Sequence, residues 1–96
     1  MKRADFYKIV TESCKHEKTF EMVYKKVNGE IRRAVCKLHD AEIDKTLKGG
    51  GKNRDQKMKD NKVFQYFDMN SNAYRSAKLE NILEVKIGNE FEKVED

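Results

Sequence analysis

The sequence predicts a mainly β (α+β) fold: a small five-stranded antiparallel barrel with a helix at its N-terminus. Three observations predict it. From Thr19 onward, short runs alternate apolar and polar residues, and each run is bounded by Asn, Gly or Ser. An Asn28-Gly29 pair sits between two of these runs, which is a hairpin signal. No strand–helix–strand alternation and no glycine-rich phosphate loop interrupts the pattern. Short, twisted strands linked by hairpins close most readily on themselves, because closure hides their edges.

The elements follow in order. Arg3 to Lys15 reads as a helix, with Phe6, Ile9, Val10 and Cys14 on one apolar stripe and Asp5 in the first turn, where the helix dipole favours it. Thr19 to Val27 reads as a strand in which Phe20, Met22 and Tyr24 alternate with Glu21, Val23 and Lys25. Asn28-Gly29 suits a two-residue type I′ turn, and Glu30 to Leu38 returns as the partner. On that strand Ala34, Cys36 and Leu38 share a face with Arg32, while Ile31 and Val35 share the other with Arg33 and Lys37.

Residues 39–61 lose the alternation. Asp40 to Leu47 suits a short helical turn, Gly49-Gly50-Gly51 removes stiffness, and the stretch to Lys62 is polar and basic, so this span reads as a long loop projecting from the body. Val63 to Asp68 is apolar on both faces and reads as a central strand. Asn70-Ser71-Asn72 is turn chemistry. Ala73 to Leu79 and Ile82 to Ile87 read as the last two barrel strands, joined by one tight helical turn at Lys78 to Asn81. After Gly88-Asn89, Phe91 and Val94 either dock one more short strand or belong to a frayed acidic end. Residues 1–17 are thus the helical lead and 18–96 the barrel. Phe6, Ile9 and Val10 are expected to meet Phe20, Met22, Phe64, Phe67, Leu79, Ile82 and Val85 in one core.

Ninety-six residues make one domain with a modest core, so a deep substrate chamber is not expected. The net charge is +4 and unevenly spread: residues 45–62 hold seven basic and two acidic side chains, residues 79–96 two basic and six acidic. A basic body with an acidic end suits a polyanionic partner; a soluble surface without one is the plainer alternative. No long apolar run suggests a membrane span, the N-terminus lacks the apolar core of a secretory signal, and Cys14 and Cys36 read as reduced thiols, so a cytoplasmic location is expected.

Two motifs carry a resemblance. The run from Phe20 to Arg32, with Lys25-Lys26-Val27-Asn28-Gly29-Glu30-Ile31-Arg32 at its end, is similar to the opening hairpin of the short WYL-like proteins with an Sm-type SH3-like β-barrel, found in tailed phages and some bacteria. Tyr66-Phe67-Asp68 followed by Tyr74-Arg75-Ser76 resembles the second signature of that family, an aromatic–aspartate strand end and then Trp/Tyr-Arg-Ser. The resemblance covers about residues 19–87. The Trp-Tyr-Leu signature of full WYL domains is absent as such, and the leading helix and acidic end lie outside the match. Full WYL domains are regulatory modules of bacterial transcription and defence proteins. The resemblance therefore implies nucleic-acid binding or ligand sensing, with host takeover as the setting if the chain is viral.

Candidate site residues fall into three groups. Tyr74 and Arg75 combine a ring for stacking on a base with a guanidinium for phosphate, although alternation puts them on opposite faces; the alternative pairs Arg75 with Asp68 or Glu84 across the sheet. Lys48, Lys52, Arg54, Lys57 and Lys59 form a basic stretch suited to backbone phosphates, or else a solvated connector. Lys25, Lys26, Arg32 and Arg33 are gathered by the hairpin turn, as a basic binding face or as edge protection. Cys14, His16, Cys36 and His39 lack a common zinc spacing, and a core thiol at Cys36 is simpler. No metal or cofactor is expected. Ser13, Ser71 and Ser76 have no sequence context of an activated nucleophile, so no enzymatic activity is expected. The leading expectation is a small non-enzymatic phage-type regulator that binds nucleic acid, RNA or single strands foremost. The alternatives are an inhibitor that binds a host defence or transcription factor, and a sensor of a small anionic ligand. A homo-oligomer fits any of the three, and no membrane association is expected.

Overall fold

The computed structural model describes residues 1–15, 18–40 and 54–96. Its elements are α1 (Arg3–Ser13), β1 (Phe20–Lys25), β2 (Ile31–Lys37), α2 (Arg54–Asn61), β3 (Val63–Asp68), β4 (Ala73–Lys78), a 3₁₀ turn (Leu79–Asn81), β5 (Ile82–Lys86) and β6 (Phe91–Lys93). Helix α1 forms because Phe6, Val10 and Cys14 recur at every fourth residue, and all three are fully buried. Ile9 stands off this stripe and is only half-buried.

The described strands form one antiparallel sheet in the order β4-β3-β2-β1-β5-β6. Six strands replace the five expected, because Phe91–Lys93 docks on β5 and the acidic end does not fray. The sheet is open: β4 and β6 are its two edges. Within it, β2 and β3 share only the register pairs Cys36↔Asp68 and Lys37↔Phe67. Beside these pairs Met69 N donates to Val35 O at 2.9 Å, and the rest of the β3–β4 hairpin joins the core through buried Phe64, Tyr66 and Ala77. Phe64 bridges the two parts, its ring edge-on to Phe6 at 5.3 Å and tilted against Phe20 at 6.2 Å. Met22, Ile82 and Val85 complete the core with them. Leu79 packs at its margin. Phe67, expected in this core, is buried on the opposite face of β3, edge-on to Tyr74 at 5.3 Å.

The first hairpin turn is one residue longer than the sequence suggested. Lys26 N donates to Glu30 O at 2.7 Å and Gly29 N to Lys26 O at 2.9 Å, so Val27, Asn28 and Gly29 make a three-residue loop. Gly29 alone takes a positive φ, +90°, and Asn28 instead accepts from Glu30 N through Oδ1 at 3.0 Å. Residues 54–61, expected to be loop, are helical. Met58 buries the apolar side of α2, and Arg54 fixes its start by donating to Gln65 O at 3.2 Å and to Leu38 O. Lys62, at φ +54°, ends it by donating to Met58 O at 3.1 Å. The helical turn expected from Asp40 to Leu47 lies outside the described residues apart from Asp40. Among the described residues, no helix is long and apolar enough to cross a membrane.

Candidate nucleic-acid interface

The open side of the sheet leaves a groove of about 690 Å³ between the β1–β2 hairpin and β4. One wall carries Lys25, Lys26 and Arg32; the other carries Arg75 and Lys78. Tyr24, Val27, Val63 and Ala77 supply the apolar surface between them. Among the described residues lining it there are five cations and no carboxylate.

The local chemistry of β3 and its turn orders the centre of this groove. Asp68 ends β3 and is wholly buried. Its Oδ1 accepts from Asn70 N at 2.9 Å, an Asx turn that starts the reversal, with Ser71 N at 3.4 Å beside it. Its Oδ2 accepts from Arg32 Nη2 at 2.6 Å and lies 3.2 Å from Arg75 Nε. Arg75 Nε also donates to Ser71 Oγ at 3.0 Å. One carboxylate thus holds two guanidinium groups from opposite walls, and the trio keeps a net positive charge. Removing the carboxylate would leave both cations side by side without compensation. Of the two cross-sheet partners weighed for Arg75, Asp68 is the one it reaches.

Sequence-predicted residues divide between this groove and other places. Lys25, Lys26, Arg32 and Arg75 come together at the groove, where Lys26 Nζ also lies 3.8 Å from Glu30. Arg33 lies on the far face of the sheet, 3.1 Å from Glu21 and 4.6 Å above the Phe91 ring, which Lys86 also approaches at 5.6 Å. Tyr74 is on the β3–β4 face away from the groove, against Phe67, with its hydroxyl accepting from Asp40 N at 3.2 Å. The alternation that separates it from Arg75 is real, so the two do not form a joint site. Arg54 is committed to two carbonyls at the head of α2; Lys57 is half-buried and Lys59 exposed on the same helix, away from the groove lining. Lys48 and Lys52 lie outside the described residues.

Tyr24, Val27, Asn28, Val63, Ser76, Ala77, Lys78 and Asn81 also line the groove, none of them among the candidate site residues offered by the sequence. The thiols take no part. Cys14 and Cys36 are free and buried, and burial pushes both upward in pKa.

Residues 12–83 match the profile of a protein family described as WYL_2, Sm-like SH3 beta-barrel fold. No curated protein and no solved structure matches the chain.

Proposed function

We propose, from the premise that the chain belongs to the WYL_2 family with its Sm-like SH3 β-barrel fold, that it is a non-enzymatic protein binding single-stranded nucleic acid, RNA foremost. The strand runs along the groove between the hairpin and β4. One observation carries the reading: Lys25, Lys26, Arg32, Arg75 and Lys78 converge on a single groove whose described lining holds no carboxylate. Cations so arranged neutralise successive phosphates and release their counterions. A shallow groove with an apolar floor suits unpaired bases better than it suits a duplex, whose bases are stacked inside. The groove volume of about 690 Å³ also lies in the range of small-molecule sites, which supports a small anionic ligand as the second reading. The setting that goes with the first reading is the cytoplasm of a bacterial host, with the protein acting as a phage-type regulator; its support is the family resemblance alone.

Salt titration tests it. Affinity for a short single-stranded RNA should fall steeply with salt. Changing Lys25, Lys26 and Lys78 together to Ala should reduce the log–log slope by about 2, at roughly 0.7 per phosphate contact on a single strand. Changing Arg33 and Lys86 to Ala, on the opposite face, should leave the slope alone. Binding that ignores salt, or that responds only to the second pair, overturns the proposal. A thermal shift with a mononucleotide and none with RNA transfers support to the second reading.

A further inference from the structure

We infer, building on the single-strand reading above, that the groove admits an unstacked nucleobase onto its apolar floor while Arg32 and Arg75 hold the adjoining phosphate. Three observations lead there. The first is the make-up of the groove: Tyr24, Val27, Val63 and Ala77 lie between two cationic walls. Phosphates alone need donors and charge, and gain nothing from an apolar floor. A ligand that satisfies both must carry an anion next to a flat, weakly hydrated body, and a nucleotide is such a unit.

The second is Val27. It is 94% exposed at the hairpin tip, the most exposed large apolar residue described. The turn does not require it, because Gly29 supplies the positive φ and Asn28 the side-chain bond. It sits at the mouth of the groove with its side chain in water. The third is the pinning of both arginines by Asp68, at 2.6 Å and 3.2 Å. A guanidinium already fixed loses little freedom on meeting a phosphate, so the phosphate position is set before the ligand arrives. With the phosphate held on the arginines, the adjoining base falls toward Val27 and Val63. A duplex offers the phosphate but keeps its bases paired, and a polyphosphate has no base to offer.

The test compares three probes at fixed salt: a short oligouridylate, an abasic strand of equal length and charge, and the same length of duplex RNA. Removing the bases should weaken binding about tenfold, the scale of one stacked base. The duplex should bind no better than the abasic strand. Val27→Ser should weaken the oligouridylate on the order of fivefold, a loss equal to one or two methyl groups of buried surface, and leave the abasic strand unchanged. Val27 is so exposed that this variant cannot act through the fold. If abasic and intact strands bind alike, the inference falls while backbone binding stands. If neither binds, both fall.

Discussion

The Tyr66 hydroxyl donates to the Tyr24 hydroxyl at 2.9 Å, joining β3 to β1 through the interior of the molecule. The rings meet edge to face, 6.1 Å apart. This contact matters because β3 has so short a ladder with β2; the two halves of the sheet are held by packing, and this is a buried polar bond between them. Tyr24 also floors the groove, so the same pair sets its depth. Tyr66→Phe removes the donor and should destabilise by about 1 kcal/mol. Tyr24→Phe leaves the wholly buried Tyr66 hydroxyl without its partner and should cost more, about 2 kcal/mol. The double variant should cost less than the two singles combined. Urea unfolding of all four proteins in a double-mutant cycle measures the difference; strict additivity would mean the bond contributes nothing.

Alkaline pH should destabilise this protein. Burial pushes the Cys36 thiol and the Tyr66 phenol up, Tyr66 further through its bond to Tyr24. Tyr7 is raised by burial and by its bond to Asp55, and Cys14 by burial. In the unfolded chain these groups lose protons near 9.0 and 10.0, while the folded chain keeps them. The unfolded state then binds fewer protons, so stability is full below about pH 9 and falls as pH rises beyond it. At the acid end the sign reverses for Glu21, which the Arg33 hydrogen bond holds below its usual 4.5, with Lys86 assisting. Its contribution is present above that value and lost as pH falls through the lowered one. Urea midpoints across the pH range check both limbs: Tyr66→Phe should shallow the alkaline fall, and Glu21→Gln the acid one.

The strands were legible because each is a local pattern. Phe20, Met22 and Tyr24 alternate with polar neighbours, and all three are buried as the alternation requires. Helix α1 was legible for the same reason, through Phe6, Val10 and Cys14. Helix α2 was not, because Met58 is its one buried residue and a single apolar side chain has no period. What holds it is docking, through Arg54 on the carbonyls of Leu38 and Gln65. Phe67 was assigned to the core because it is apolar; the pleat places it on the other face, where Tyr74 covers it. The groove was half legible. Its cations are visible in sequence, but its walls meet only through contacts such as Arg32 with Asp68, 36 residues apart. No local pattern carries that information, nor the burial of Asp68 that fixes the arginines.

Gln65 offers a stabilising change. Its Oε1 is buried with no hydrogen-bond partner among the described residues. A buried acceptor without a donor forfeits its hydration, a penalty of about 1–3 kcal/mol. Gln65→Met keeps the side-chain length and removes the acceptor, so the urea midpoint should rise by the equivalent of about 1 kcal/mol with an unchanged slope. Gln65→Glu puts a charge in the same place and should lower it. A midpoint that falls in Gln65→Met would mean the amide has a partner in solution.

Arg3 fastens the C-terminal strand. Its Nη1 donates to Leu79 O and to Ile82 O, both at 2.7 Å, and its Nη2 to Val94 O at 3.0 Å. Its Nε lies 2.6 Å from Asp96, and its backbone N donates to Glu95 O at 2.6 Å. One planar group thus joins the first turn of α1 to the 3₁₀ turn, β5 and the segment after β6. β6 itself is exposed at all three residues and buries little, so the clamp has more to hold than packing does. Arg3→Ala should therefore free β6 locally before it affects global stability. The amide of Val94, bonded to Leu83 O at 2.8 Å, reports this by hydrogen exchange. Its protection should drop by about tenfold or more, as expected for losing charge-assisted bonds of about 1.5–3 kcal/mol, while the amides of Met22 and Val23 in β1 keep theirs. Arg3→Lys should not restore it, because an ammonium cannot span carbonyls that the guanidinium fork reaches together. Equal loss of protection in β1 and at Val94 would instead show that β6 opens only with the whole sheet.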